Sequence, residues 1–149
     1  MTKILYIDMD GVLVDFMSAL GSVPPDVIAR YEPHLDDIPG LFARMDPMPG
    51  ALDAYDELSE LFDTYILSTA PWKNPSAWSD KLRWVQRYLG DKGEKRLILT
   101  HHKNLNRGDF LVDDRTRHGV DDFAGEHIHF GTDEFSNWPS VLKYLRTKA

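Results

Sequence analysis

Near the start of the chain, Lys3-Ile4-Leu5-Tyr6-Ile7 forms a short apolar and aromatic run that ends abruptly in Asp8-Met9-Asp10-Gly11. A run without polar alternation is the pattern of a strand covered on both faces, as in parallel sheets. Asp8 and Asp10 stand two apart, so on continued strand geometry their side chains point the same way. Gly11 then permits a sharp turn or a close approach to a ligand. Two carboxylates aimed at one point repel each other, and a hard, oxygen-preferring cation such as Mg²⁺ relieves that repulsion. The plain alternative is a solvated strand end, or a pair that caps the next helix. No obvious helix opens here, so the ligand-facing reading leads.

The 149 residues suit one domain with a real core and a modest insertion, and 42% hydrophobic content marks a folded globular chain. A net charge of −7 argues against a general nucleic-acid binder, whose phosphate contacts need Lys and Arg in excess. It leaves room for a small phosphorylated substrate, because a cation and one or two basic residues reverse the field locally. Cysteine is absent, which excludes disulfides, thiolate metal sites and a cysteine nucleophile. The chain runs directly into the first strand, so no leader is expected, and no apolar stretch approaches a membrane span. The expectation is a cytoplasmic protein without a membrane partner.

Between Phe16 and Met48 the pattern is irregular and punctuated by Pro24-Pro25, Pro33 and Pro39-Gly40. Asp26 is placed to cap a short helix through Tyr31, and Leu41 to Met45 resumes a helical pattern. The segment is too long for an ordinary connection and too apolar for a linker, and reads as a small helical cap above the strand tip. After Pro47-Met48-Pro49-Gly50, a helix is expected over Ala51–Phe62 and a strand over Thr64–Leu67, ending in Ser68-Thr69. A helix follows over Ser76–Leu89, with Trp78, Leu82, Val85 and Leu89 as its core stripe. The strand Arg96–Thr100 leads to His101-His102-Lys103. Asp109 to Arg115 gives a strand that ends in Asp113-Asp114; His127–Phe130 is the last strand and Asn137–Leu145 the closing helix. The adjacent His101 and His102 project in different directions and lack a third partner, so they do not read as a metal site.

Strands alternating with helices predict an α/β fold, a parallel sheet with helices on both faces. In such sheets ligands bind beyond the C-terminal ends of the strands. Asp8 and Asp10, Ser68 and Thr69, Lys103, and Asp113 and Asp114 all fall at or just past such ends. Singly each has an ordinary explanation: a capped turn for Ser68 and Thr69, a solvated surface residue for Lys103. Four strands delivering polar groups to one rim decide for a functional site.

Asp8-Met9-Asp10-Gly11-Val12-Leu13-Val14-Asp15 resembles the first motif of the haloacid dehalogenase superfamily of aspartate-nucleophile phosphatases. Extended to Phe16, it resembles the 5′(3′)-deoxyribonucleotidases in particular. Thr69 (with Ser68 beside it), Lys103, and Asp113 with Asp114 match the second, third and fourth motifs in order, so the resemblance spans nearly the whole chain. Thr100-His101-His102-Lys103 and Phe110 to Arg115 look like the same branch. One departure stands out: where that branch carries an arginine two residues before the lysine, this chain has His101.

The resemblance implies a Rossmann-like doubly wound parallel sheet of spatial order 5-4-1-2-3 with the first strand central. It implies one phosphatase domain, residues 1–149, made of a core (1–15 and 49–149) and a helical cap at about 16–48. Asp8 is then the nucleophile that forms an aspartyl-phosphate, and Asp10 the general acid and base. Thr69 and Lys103 hold the phosphate, with Ser68 as a further donor. Mg²⁺ is bound by Asp8, the Asp10 carbonyl and an acidic group of the Asp113–Asp114 pair. Phe16 has two open readings, a lid over the nucleoside or a core residue.

The expected activity is Mg²⁺-dependent hydrolysis of (deoxy)ribonucleoside monophosphates, small-molecule substrates and not a nucleic acid polymer. Apolar cap residues such as Phe16, Leu41 and Phe42 favour a sugar without its 2′-hydroxyl. Two alternatives stay open: a phosphatase of a sugar phosphate or other small metabolite, and a receiver-type domain that accepts a phosphoryl group on Asp. Asp10 beside Asp8, followed by a large insertion, disfavours the second. Homodimerisation is also left open.

Overall fold

The computed structural model describes residues 1–149. The opening apolar run forms β1 (Ile4–Ile7), the central strand of a five-stranded parallel sheet. Two very short strands follow, β2 (Val14–Asp15) and β3 (Asp46–Pro47), paired antiparallel where the chain leaves and rejoins the main fold. The other sheet strands are β4 (Asp63–Ser68), β5 (Leu97–Leu99), β6 (Phe110–Asp113) and β7 (Glu126–His129). The sheet order is β5-β4-β1-β6-β7. The first strand is central, as expected, and the numbering along the whole chain is 5-4-1-6-7 in place of 5-4-1-2-3 because β2 and β3 take two numbers between the first two sheet strands. Counted over the five sheet strands alone and read from the β7 edge, the order is 5-4-1-2-3; a two-residue strand is too short to show periodicity in the sequence.

Register aligns the strand tips. Ile7 pairs with Ile66 on one side and Val112 on the other, which brings Asp8, Ser68 and Asp113 to a common edge. Both faces of β1 are buried, which explains its unbroken apolar run: Leu5 and Ile7 join the larger core, and Tyr6 joins a smaller cluster with Leu67, Leu111, Val120 and Phe123.

The helices are α1 (Pro25–Tyr31), α2 (Ala51–Leu61), α3 (Pro75–Tyr88) and α4 (Trp138–Arg146). Asp26 is not the cap of α1. Pro24 takes that position and Asp26 sits in the first turn, because Pro25, with its φ preset, opens the helix. The rest of the insertion is 3₁₀ turns at Phe16–Ser22, Leu35–Asp37 and Leu41–Arg44. Its Ala19, Ile38, Leu41, Phe42 and Met45 are buried in the same cluster as β1 and α2. On α4, Asn137 Oδ1 accepts from Ser140 N at 3.0 Å, and buried Trp138 donates through Nε1 to Val12 O at 2.8 Å.

The buried face of α3 differs from the expected stripe. Ala77, Asp80, Lys81, Trp84 and Val85 face inward, whereas Leu82 is exposed and Trp78 and Leu89 are half-buried. Trp84 Nε1 donates to Met45 O at 3.1 Å, so this face packs on the insertion. No helix is long and apolar enough to cross a membrane.

Candidate active site

The tip of β1 closes into a tight turn. Asp8 N donates to Val112 O at 2.9 Å, and the main-chain N–H groups of Val12, Leu13 and Val14 converge on Met9 O at 2.9–3.0 Å. This turn, not continued strand geometry, carries Asp10 onto the same side as Asp8, and both line one cavity of about 830 Å³. Gly11 has φ +77°, and a Cβ at this position would run into the Asp114 carboxylate. Glycine is therefore required twice, for the left-handed backbone and for the approach of the β6 loop.

Lys103 is the electrostatic link across the cavity floor. Its buried ammonium donates to Asp8 Oδ1 at 3.0 Å and to Asp113 Oδ2 at 2.5 Å, while Asp113 Oδ1 accepts from Arg115 N at 2.9 Å. Burial works against the charged ammonium, but the facing Asp8 and Asp113 carboxylates outweigh it and raise the Lys103 pKa. Burial lifts Asp8 to about 6; Lys103 opposes the rise, and Asp113 and Asp10 reinforce it. Asp114 is also raised to about 6, by burial and then by the charge of Asp8.

Asp8, Asp113 and Asp114 each offer a carboxylate oxygen within 4.8 Å of the others. Asp114 Oδ1 and Asp10 Oδ1 are buried without a hydrogen-bond partner. An all-oxygen set with unsatisfied lone pairs fits a hard divalent cation. The Asp10 carboxylate lies outside this set, and Lys81 holds its Oδ2 at 3.0 Å.

Lys81 is the residue that sequence reasoning missed. It is fully buried, reaches Ser68 Oγ at 2.9 Å as well as Asp10, and lies 4.6 Å from the centre of the Phe42 ring. A lysine on a helix is ordinarily solvated. The available signal was its place in the row Ala77, Lys81, Trp84, Tyr88, which has the same helical period as the stripe of Trp78 and Leu82.

Of the expected site residues, the structure brings Asp8, Asp10, Phe16, Thr69, Lys103, Asp113 and Asp114 to one cavity. Ser68 is not among them. It is buried, and its hydroxyl meets Lys81 instead of facing the cleft. The Thr69 hydroxyl donates to Thr100 O at 2.7 Å. Phe16 both lines the cavity and packs edge-to-face on Phe42, with ring centres 5.9 Å apart, so each of its two readings has a contact behind it. His101 also lines the cavity, in a cluster with the rings of Trp72, Trp78 and His118.

The profile of the family described as 5′ nucleotidase, deoxy (pyrimidine), cytosolic type C protein matches residues 23–138. The chain belongs to this family. A Vibrio phage KVP40 protein, whose description as a 5′(3′)-deoxyribonucleotidase is itself inferred, is 57% identical over 97% of this chain and 85% of its own. The cytosolic-type 5′(3′)-deoxyribonucleotidase of Homo sapiens is 34% identical, covering 83% of this chain and 77% of its own. As a member of this nucleotidase family the protein is an enzyme, a phosphoric monoester hydrolase. Its fold is also that of a haloacid dehalogenase-like hydrolase from Xanthomonas campestris, with a TM-score of 0.57 at 10% identity, covering 99% of this chain and 97% of that one. A Streptococcus pneumoniae protein of the same description gives 0.53 at 12% identity, covering 96% and 90%. The resemblance read from the motifs is borne out.

Proposed function

We propose that this member of the nucleotidase family hydrolyses deoxyribonucleoside monophosphates, and more slowly their ribo counterparts, to nucleoside and phosphate. The observation that carries this reading is the convergence of Asp8, Asp10, Lys103, Asp113 and Asp114 on one cavity, in a chain whose relatives bear deoxyribonucleotidase names. Asp8 is the nucleophile. Its carboxylate oxygen attacks phosphorus, the bond to the nucleoside oxygen breaks, and the aspartyl-phosphate forms. Asp10 gives the leaving oxygen its proton and then takes one from the water that hydrolyses the intermediate. Its unpartnered Oδ1 is the atom left for this work, because Lys81 fixes Oδ2. Lys103 orients Asp8 and meets the phosphate oxygens; Thr69, whose hydroxyl donates to Thr100 O here, joins it once that hydroxyl turns to the phosphate.

Asp8, the Asp10 carbonyl, Asp113 and Asp114 would hold Mg²⁺. When bound, the ion neutralises charge on the phosphate and on the carboxylates. Residues 16–48 serve as a cap on the core of 1–15 and 49–149, with Phe16 as part of the wall around the nucleoside. An apolar wall leaves a 2′-hydroxyl without a partner at a cost of roughly 1–3 kcal/mol, about a tenfold or larger preference for the deoxy sugar. The enzyme is read as cytoplasmic.

The test is phosphate release in Mg²⁺ from paired deoxy- and ribonucleoside monophosphates and from a set of sugar phosphates. Faster kcat/KM on the deoxy member of each pair is expected. Equal rates would remove the sugar preference alone. Turnover of a sugar phosphate and of no nucleotide would replace the reading with that of a metabolite phosphatase.

A further inference from the structure

The loop after β6 carries Arg115, Arg117 and His118, all exposed and all lining the cleft beside the Asp8 centre. We propose that this loop is a second anion-binding position, for a second phosphate on the substrate's sugar, and that nucleoside 3′,5′-bisphosphates are preferred substrates. The inference rests on the nucleotidase reading and extends it.

The loop is pinned to the reaction centre at both ends. Arg115 N donates to Asp113 Oδ1 at 2.9 Å, and Lys103 N donates to His118 O at 2.7 Å. Between them the backbone turns through His118 (φ +57°) and Gly119 (φ +86°), a left-handed pair that few residues other than glycine adopt readily. A Cβ on Gly119 would meet Lys103 N at 2.9 Å, so the loop lies directly against the strand tip that supplies the phosphate-facing lysine. The backbone that carries these cations is therefore fixed beside the reaction centre, and their exposed side chains reach into the cleft from it.

No ion pair ties up their charge, although Arg115 lies near enough to Asp114 to oppose the rise in its pKa. Lys81 and Lys103 are engaged by Asp10, Asp8 and Asp113, whereas neither Arg115 nor Arg117 pairs with a carboxylate. His118 registers the resulting field: after burial, the positive charges of His101, Arg117, Lys103 and Arg115 lower its pKa. In a protein of net charge −7, such a concentration at one cleft attracts anions. Asp36 and Asp37 of the insertion line the same cavity, and their charge steers a second anion toward the cationic loop.

The geometry of the reaction selects where that second phosphate is attached. In a nucleoside diphosphate the second phosphate is the leaving group, pressed against the acidic Asp10. In a 3′,5′-bisphosphate the sugar separates the two groups, and the non-reacting one clears the acidic floor. A cavity of about 830 Å³, with apolar Phe16 and Leu35 on the insertion side, has room for both phosphates and the base.

The experiment compares kcat/KM for deoxythymidine 3′,5′-bisphosphate and deoxythymidine 5′-monophosphate in the native enzyme, Arg117→Gln and Arg117→Lys. The native enzyme is expected to favour the bisphosphate about tenfold, through charge-assisted contacts that weaken as salt is raised. In Arg117→Gln the ratio falls toward one, and Arg117→Lys restores most of it. A native ratio near one, with the monophosphate still hydrolysed, overturns the second position and leaves the nucleotidase reading intact. An Arg117→Gln variant that loses both activities equally also overturns it, because Arg117 then serves both substrates alike and does not recognise a second phosphate. No turnover of either nucleotide defeats both readings.

Discussion

Lys81→Met separates the chemical work of a buried lysine from its packing. Methionine keeps most of the apolar stem but removes two charge-assisted contacts, to Asp10 Oδ2 at 3.0 Å and Ser68 Oγ at 2.9 Å. Such contacts contribute about 1.5–3 kcal/mol each in protein interiors. The Asp10 side chain retains 28% exposure, so water replaces part of what it loses. We therefore take about 2–3 kcal/mol for the lost orientation of Asp10, which is about 30- to 150-fold in kcat/KM. Stability should fall less than activity. Removing one partner leaves the Asp10 charge behind, but its partial exposure lets water take up part of the loss, so a cost of about 1–2 kcal/mol and a drop of a few degrees in Tm are expected. Steady-state phosphate release and thermal melts on one preparation read both quantities. An activity within about threefold of native would refute the reasoning and reduce Lys81 to a packing residue. A collapse of Tm in step with activity would do the same.

Two further perturbations probe the floor of the site. Gly11→Ala places a Cβ at φ +77° against the Asp114 carboxylate and should lower stability by about 1–3 kcal/mol, read by denaturant melts, with little change expected for the open Gly21→Ala. For the metal-free protein, Asp8 sits at about 6 when folded and near 4 when unfolded, so the folded state binds the extra proton between those values. Its contribution to stability is then full below about pH 4 and is lost as pH rises to about 6, roughly 3 kcal/mol in all. The difference between native and Asp8→Asn melts across pH 4–7 in chelator reads that loss together with the part of the Asp114 rise that Asp8 causes, and saturating Mg²⁺ should suppress both. A difference that does not vary with pH would contradict the assigned burial of the charge.

The strand tips were legible because a parallel strand leaves an unmistakable trace, an apolar run that stops at a polar group. Ile7-Asp8 and Val112-Asp113 both show it, and the sheet register then brings them together. Lys103 was found by its place after such a tip. Lys81 was not, because its function depends on which face of α3 turns inward, and two apolar rows of equal period compete there. Tertiary packing on Met45 chose the row that holds the lysine. Ser68 was misread for the same reason: its hydroxyl was assigned to a phosphate, when the unseen Lys81 takes it. The pair β2 and β3 left no trace, since pairing across about thirty intervening residues is a long-range contact and not a local pattern.

The most direct test of the central claim is phosphate release from a deoxyribonucleoside 5′-monophosphate in Mg²⁺ by the native enzyme beside Asp8→Asn. An amide cannot form the phosphoryl-enzyme, so hydrolysis should fall by at least about three decades while the melting curve shows an intact fold. Residual turnover within tenfold of native, in a folded and pure variant, would place the nucleophile elsewhere and contradict the account.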